Sequence, residues 1–393
     1  IGMALAIANL AGAVCALTNR RWVAAVVAVT VGLAHTAWWL GTIAEVYTWT
    51  AAGLAAEMWL MISLIRRPAR GKLAALALIS GLGWSIHNFA LLPLPVYIVL
   101  AVWMIWGRRQ LRPSALALAA GAYIIGASPY LVMIAQEAAE LGFIAAVKSA
   151  LFGRYAQQVL AVAPTGGMLK VNMALSAMNF VNMLIPLAVF GWWRLRRQGK
   201  AMAAVIAAVT AIELVFFVRY PVPDQFMFLL PGYALLAVGA AVGIDGMLRL
   251  RPRWRRAWKA GLAASIILTP VLYAAAPPVL THMGRSIRPG KSWPCRDENR
   301  YWITPWKCGE TSGARFAREA LTAAADGSVI LPSGMATFPL QVLQEAEGFR
   351  TDVEIVPLDL ESWRTSTGSD PAACRRLVAG RVAYTVDATP LPL

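Results

Sequence analysis

Long apolar runs separated by five clusters of arginine and lysine constrain this chain more than any other feature. The clusters are Arg20-Arg21; Arg66, Arg67, Arg70 and Lys72; Arg108, Arg109 and Arg112; Arg194, Arg196, Arg197 and Lys200; and Arg249, Arg251, Arg253, Arg255, Arg256 and Lys259. Between each cluster and the next lies enough apolar sequence to cross a bilayer out and back, at about 20 residues per crossing. An excess of Lys and Arg marks cytoplasmic loops, so the clusters act as a ruler of sidedness.

Of 393 residues, 59% are hydrophobic and 14% charged, which excludes an ordinary soluble domain. The formal charge of +16 would suit nucleic acid, but nineteen of the thirty-six basic residues sit in the clusters, beside apolar runs. That placement reads as anchoring to anionic membrane lipid, with no nucleic-acid partner. Tryptophan pairs such as Trp38-Trp39 and Trp192-Trp193 fit the aromatic belt at the headgroups.

Apolar runs near 1–17, 22–41, 49–65, 71–86, 89–106, 114–136, 171–193, 201–219, 226–248 and 260–280 predict about ten transmembrane helices. The predicted fold class is mainly α: a polytopic helical membrane bundle over 1–284, followed by a small extracytoplasmic α/β domain over 285–393. Counting from the clusters, segments 42–48, 87–88, 137–170 and 220–225 and everything after 280 face the extracytoplasmic side. Ile1 then starts outside, and the parity predicts at least one further span upstream, so the chain reads as N-terminally truncated.

The composition changes near residue 285, since thirteen of the twenty acidic residues lie between Asp297 and Asp387. Helices are expected over 314–325, 339–347 and 371–378, alternating with strands over 328–331, 353–356 and 382–386. Cys295 and Cys308 flank a tryptophan-rich segment, and outside the cytoplasm a disulfide between them would close a short loop; two free thiols are the alternative. Cys15 and Cys374 read as inert. Segment 140–162 is too polar to span but carries apolar positions at helical spacing, which predicts one helix lying on the outer membrane surface.

Ionisable groups near the bilayer are costly and therefore informative. Glu45 lies in T-I-A-E-V-Y-T-W with Tyr47, His87-Asn88 in G-W-S-I-H-N-F, and Arg219, Asp224 and Gln225 in R-Y-P-V-P-D-Q-F. All three groups fall on one predicted face, where acid, imidazole and guanidinium could converge on a site; the alternative is that outer turns are polar because they meet water, with Arg219 and Asp224 paired locally. Glu57 and Glu213, inside predicted spans, read as buried structural hydrogen-bonders, with a direct chemical role for each as the alternative, and Asp245 as a solvated cytoplasmic charge. No phosphate-binding glycine loop, Cys-x-x-Cys, H-E-x-x-H or G-x-S-x-G motif is present. Three scattered histidines offer no metal site. Paired halves or matching helix interruptions of the transporter kind are not evident.

At T-A-W-W-L-G-T-I-A-E-V-Y-T-W (36–49), G-L-G-W-S-I-H-N-F-A-L-L-P-L-P (81–95) and P-D-Q-F-M-F-L-L-P-G-Y (223–233) the chain resembles the transmembrane protein O-mannosyltransferase-like family of the GT-C glycosyltransferase clan. Stretches 313–321 and 350–356 also look similar. The resemblance implies transfer of a hexose, mannose in the first instance, from a polyprenyl-phosphate donor to a protein or glycan acceptor outside a bacterial inner membrane. The acidic loop that carries the usual base in this clan would lie upstream of Ile1. With that reading Glu45 and Asp224 are the catalytic candidates, and Tyr47, His87, Asn88, Arg154, Arg219 and Gln225 the substrate-binding ones. The donor is the only implied cofactor-like molecule, and metal dependence is left open. A non-catalytic subunit of a membrane complex and a transporter of lipid-linked saccharides are the other two expectations.

Overall fold

The structure, a computed structural model, describes residues 1–161, 166–220, 225–250, 252–288, 293–332, 334–357 and 380–386. It divides into two compact units, Ile1–Ala275 and Ala276–Leu393, with the division inside one long helix rather than at the change of composition.

The first unit is all helix. It comprises α1 (Gly2–Thr18), α2 (Arg21–Gly32), α3 (His35–Thr42), α4 (Tyr47–Arg66), α5 (Arg70–Ile86), α6 (Leu94–Val102), α7 (Ser114–Leu141), α8 (Phe143–Phe152), α9 (Ala156–Val159), α10 (Gly166–Asn179), α11 (Leu184–Arg194), α12 (Lys200–Arg219), α13 (Gln225–Phe228), α14 (Leu230–Leu250) and α15 (Arg255–His282). Six helical segments are long and apolar enough to cross a membrane, or eight if each of two bent pairs counts as one crossing. By this measure the described residues carry six to eight of the ten crossings expected. Helices α1 and α5 have 17 residues each, about 26 Å at 1.5 Å per residue. The runs predicted over 22–41 and 171–193 each break into two helices, α2–α3 bent by 70° and α10–α11 by 103°.

The breaks meet one another. The Thr36 N–H donates to Asn179 Oδ1 at 2.7 Å, and the His35 N–H donates to the Tyr273 hydroxyl at 3.1 Å, which itself donates to Met178 O at 2.8 Å. Backbone groups freed at a break inside a membrane must find such partners, because lipid offers none.

Burial separates the inner helices from the lipid-facing ones. Helix α14 is almost wholly enclosed, whereas α7 and α15 leave Ile124, Ile125, Met133, Ile267 and Val271 more than half exposed. Close approach of α11 and α14 is permitted by glycine: a Cβ at Gly191 would strike the Gly239 carbonyl oxygen, and one at Gly243 the Leu187 carbonyl oxygen. Small residues that let backbones touch are the usual means of holding helices together where lipid removes the hydrophobic drive. Trp39 and Trp192 belong to this interior, Trp39 being 5% exposed and Trp192 packing on Gly239, so within the two pairs Trp193 alone is strongly exposed.

The basic clusters also do structural work beyond anchoring. Arg66 donates to Leu17 O at 2.5 Å, and Lys72 Nζ to Ser63 O and Arg67 O at 2.9 Å each. Cations thus occupy the C-terminal ends of α1 and α4, where free carbonyls concentrate negative partial charge. Asp245 is not solvated as expected; it is 5% exposed and pairs with Arg20 at 2.5 Å and Arg249 at 2.8 Å. The expected single surface helix over 140–162 is divided, because Gly142 (φ 84°) and Gly153 (φ 51°) take left-handed conformations that end α7 and α8.

The second unit continues with α16 (Glu298–Ile303), α17 (Ser312–Ala323), β1 (Val329–Leu331), α18 (Thr337–Glu347), β2 (Glu354–Ile355) and β3 (Ala383–Thr385). The strands form a parallel sheet in the order β2-β1-β3, with Ile330 level with Ile355 and Tyr384. Phe316, Leu321, Ile330, Leu340, Leu343 and Val353 make its core. The helix expected over 371–378, with Cys374, lies outside the described residues.

Cys295 and Cys308 are free thiols, against the expected disulfide. The Cys295 Sγ donates to Glu319 Oε2 at 3.0 Å on α17, while Cys308 is exposed. The segment between them is organised by Glu298, 7% exposed, which accepts from the Trp293 N–H, Arg296 Nε and Trp302 Nε1 at 2.8 to 3.0 Å. Arg296 in turn covers the Tyr301 ring at 4.2 Å. Lys307, whose burial pushes its amine down to about 8, covers the same ring at 4.3 Å.

Candidate functional site

Three of the sequence segments singled out above come together at one end of the helical unit. Tyr47 opens α4, His87 follows α5 in the turn before the span starting at Asn88, and Phe228 closes α13. Tyr47 meets His87 at 5.6 Å and Phe228 at 4.8 Å between ring centroids. His87 lies 4.2 Å from Phe89, which touches Phe228 at 4.9 Å; Tyr220 completes the group at 5.2 Å from Phe228. Each such ring pair adds about 0.5–1.5 kcal/mol beyond area burial, enough to fix the relative height of three otherwise separate turns.

Burial pushes the His87 imidazole down to about 4, so it is neutral at physiological pH. Its Nδ1 accepts the Phe89 N–H at 3.2 Å, which assigns the ring proton to Nε2 and makes that nitrogen a donor. Glu45, half-buried in the loop before α4, accepts the Thr48 hydroxyl at 3.1 Å through its backbone carbonyl. A neutral imidazole donor and a phenol on one aromatic wall suit recognition of a hydroxyl-rich or ring-shaped substrate.

Two predicted substrate-binding residues are engaged elsewhere. Asn88 Oδ1 accepts the Trp84 indole N–H at 3.1 Å, and its Nδ2 donates to Ala150 O at 2.7 Å and Leu151 O at 3.3 Å, tying the turn to the end of α8. Arg219 donates to Val159 O at 2.8 Å and to Ala161 O, with its guanidinium over the Phe216 ring at 5.1 Å. Both hold the 150–161 segment in place. Asn88→Ala should therefore cost about 1–3 kcal/mol by stranding the indole donor and loosening the hold on the end of α8, while the Tyr130 hydroxyl still reaches the Ala150 carbonyl. A lowered melting temperature in detergent, with faster proteolysis around 153–161, is the expected readout. Asp224, and the side chains of Arg154 and Gln225, lie outside the described residues.

The sequence reading undervalued Glu57 and Glu213. Both are 2% exposed, and both line one small cavity, with room for about a single water molecule, together with Thr50, Gly53, Gly83, Phe89, Pro93 and Pro231. Tyr97 donates to Glu57 Oε2 at 3.1 Å, while Glu213 Oε2 is buried without a hydrogen-bond partner. The signal was present in the sequence as one lone carboxylate in each of two apolar runs. What it lacked was their juxtaposition. Among the described residues, no group of three or more His, Cys, Asp or Glu side chains could hold a metal ion.

Comparison with protein-family models, curated proteins and solved structures gives no match.

Proposed function

We propose that this is a membrane glycosyltransferase of the GT-C kind, transferring a hexose from a polyprenyl-phosphate carrier to an acceptor on the extracytoplasmic side of a bacterial inner membrane. In this reading the chain has about ten crossings, and its C-terminal unit is an α/β domain on the acceptor side. The observation that supports it is the convergence of the Tyr47, His87 and Phe228 segments on one aromatic wall. A lipid-phosphate leaving group brings its sugar to the membrane surface, where flat rings can carry the apolar faces of sugar and prenyl chain. A carboxylate is then needed to deprotonate the acceptor hydroxyl, and Glu45 and Asp224 are the candidates. His87 Nε2–H and the Tyr47 hydroxyl would orient sugar hydroxyls. With Arg219 holding carbonyls, Arg154 is the better candidate for the phosphate.

Reconstituted chain supplied with radiolabelled polyprenyl-phosphate mannose and a mixed peptide and glycan acceptor should transfer label. Glu45→Ala and Asp224→Ala should each lower the rate by about 100-fold or more at unchanged melting temperature. Wild-type rates in both variants would sink the assignment.

The meeting of two bent helix pairs favours a second reading, transport of a lipid-linked saccharide, since discontinuous helices commonly build substrate sites in transporters. The same experiment separates the two. Transport moves label across the bilayer while it stays on its lipid carrier.

A further inference from the structure

The cavity lies among α4, α5, α12, α14 and the turn that precedes α6, and it shares Phe89 with the aromatic wall. Glu57 lies near the middle of α4 and Glu213 in the second half of α12, and none of the ion pairs among the described residues involves either. The titratable groups that interact with the pair are Tyr97 on α6 and Tyr123 on α7; neither supplies a positive charge. The buried Ser80 hydroxyl on α5 comes near Glu57 without reaching hydrogen-bond geometry.

Two ionised carboxylates cannot share an uncompensated apolar site, because each costs several kcal/mol to desolvate and each repels the other. Something positive must accompany them. Leu54, Phe89, Ala90, Pro93 and Pro231 make the lining largely apolar, which leaves too few oxygens to replace the hydration shell of a metal cation. A proton requires only one carboxylate oxygen. The unpartnered Glu213 Oε2 is placed to donate or accept it, directly or through the single water for which the cavity has room.

We propose that Glu57 and Glu213 form a proton-binding site within the membrane, taking up protons as a coupled acid pair. The site is enclosed by residues of the Y-T-W-T, H-N-F-A-L-L-P and F-L-L-P-G-Y segments, so changing its charge changes the packing of the elements that carry Tyr47, His87 and Phe228.

Infrared spectroscopy of the full chain in lipid nanodiscs at neutral pH should show a protonated-carboxyl carbonyl band. That band should diminish in E57Q or E213Q and vanish in the double variant. A carboxyl protonated in the fold but ionised when unfolded makes stability fall as pH rises, so the wild-type melting temperature should decline toward alkaline pH. The double variant, fixed in the neutral shape, should lack that part of the decline. Absence of the band, or stability that follows sodium or potassium concentration in place of pH, would each overturn the proposal. If the double variant does not fold, the band in the two single variants still decides.

Discussion

Gly243→Leu should abolish the folded helical unit. Even a Cβ at Gly243 would occupy the position of the Leu187 carbonyl oxygen, and the reciprocal contact at Gly191 leaves α11 no direction in which to yield. Overpacking a flexible core site costs about 1–3 kcal/mol, and here the obstacle is backbone on both sides, so the expected loss is about 3 kcal/mol or more. Because α14 is the most enclosed helix, displacing it also opens its contacts with α1, α2, α4 and α12. The check is size-exclusion profile and thermal melting in detergent, with Gly121→Ala as control. No neighbour lies within 4 Å of a Cβ at Gly121 on α7, so the control should melt at or slightly above wild type. A monodisperse Gly243→Leu protein with unchanged melting would show that α11 and α14 are not in direct backbone contact.

Glu298→Ala should loosen the second unit by about 3 kcal/mol, since charge-assisted hydrogen bonds contribute about 1.5–3 kcal/mol each and are only partly additive. Three donors, the Trp293 N–H, Arg296 and the Trp302 indole, would lose one shared acceptor. Burial by itself would raise this carboxyl. The hydrogen bonds from Trp293, Arg296 and Trp302, with the Arg296 charge, outweigh it and hold the carboxyl below its ordinary 4.5. A carboxyl so lowered stabilises the fold above its unfolded value, and that stabilisation is lost as pH falls through the folded one. Protease sensitivity of 293–312 in the full chain should therefore rise in acid for wild type. Glu298→Ala should be sensitive already at neutral pH, with little further change in acid. Equal resistance of the two proteins at neutral pH would remove Glu298 from its central place.

The pattern of apolar runs and basic clusters was enough to read a mainly helical, membrane-embedded chain and to place its turns. It also singled out Tyr47 and His87, because polar residues at the ends of apolar runs are few, and the structure packs their rings together. Hydropathy does not register whether a run is one helix or two, so α2–α3 and α10–α11 were each read as a single crossing. The backbone groups at the first break belong to Thr36 and His35, and the groups that satisfy them, Asn179 and Tyr273, lie 143 and 238 positions away in sequence. Asn88 and Arg219 looked like ligand-binding groups for the same reason: their backbone partners in 150–161 are set by packing.

By itself the sequence determined which segments leave water, because transfer of apolar surface depends on composition summed along about 20 residues and needs no neighbour. Only the tertiary structure decided what the rare polar groups do. It joined Tyr47, His87 and Phe228 into one wall, turned Asn88 and Arg219 into braces and buried Asp245 between two arginines. It also set Glu57 and Glu213 against one cavity. The physical reason is that the cost of a buried charge or an unmade hydrogen bond is fixed by what stands opposite it, and in a helical bundle the opposite residue belongs to a distant part of the chain.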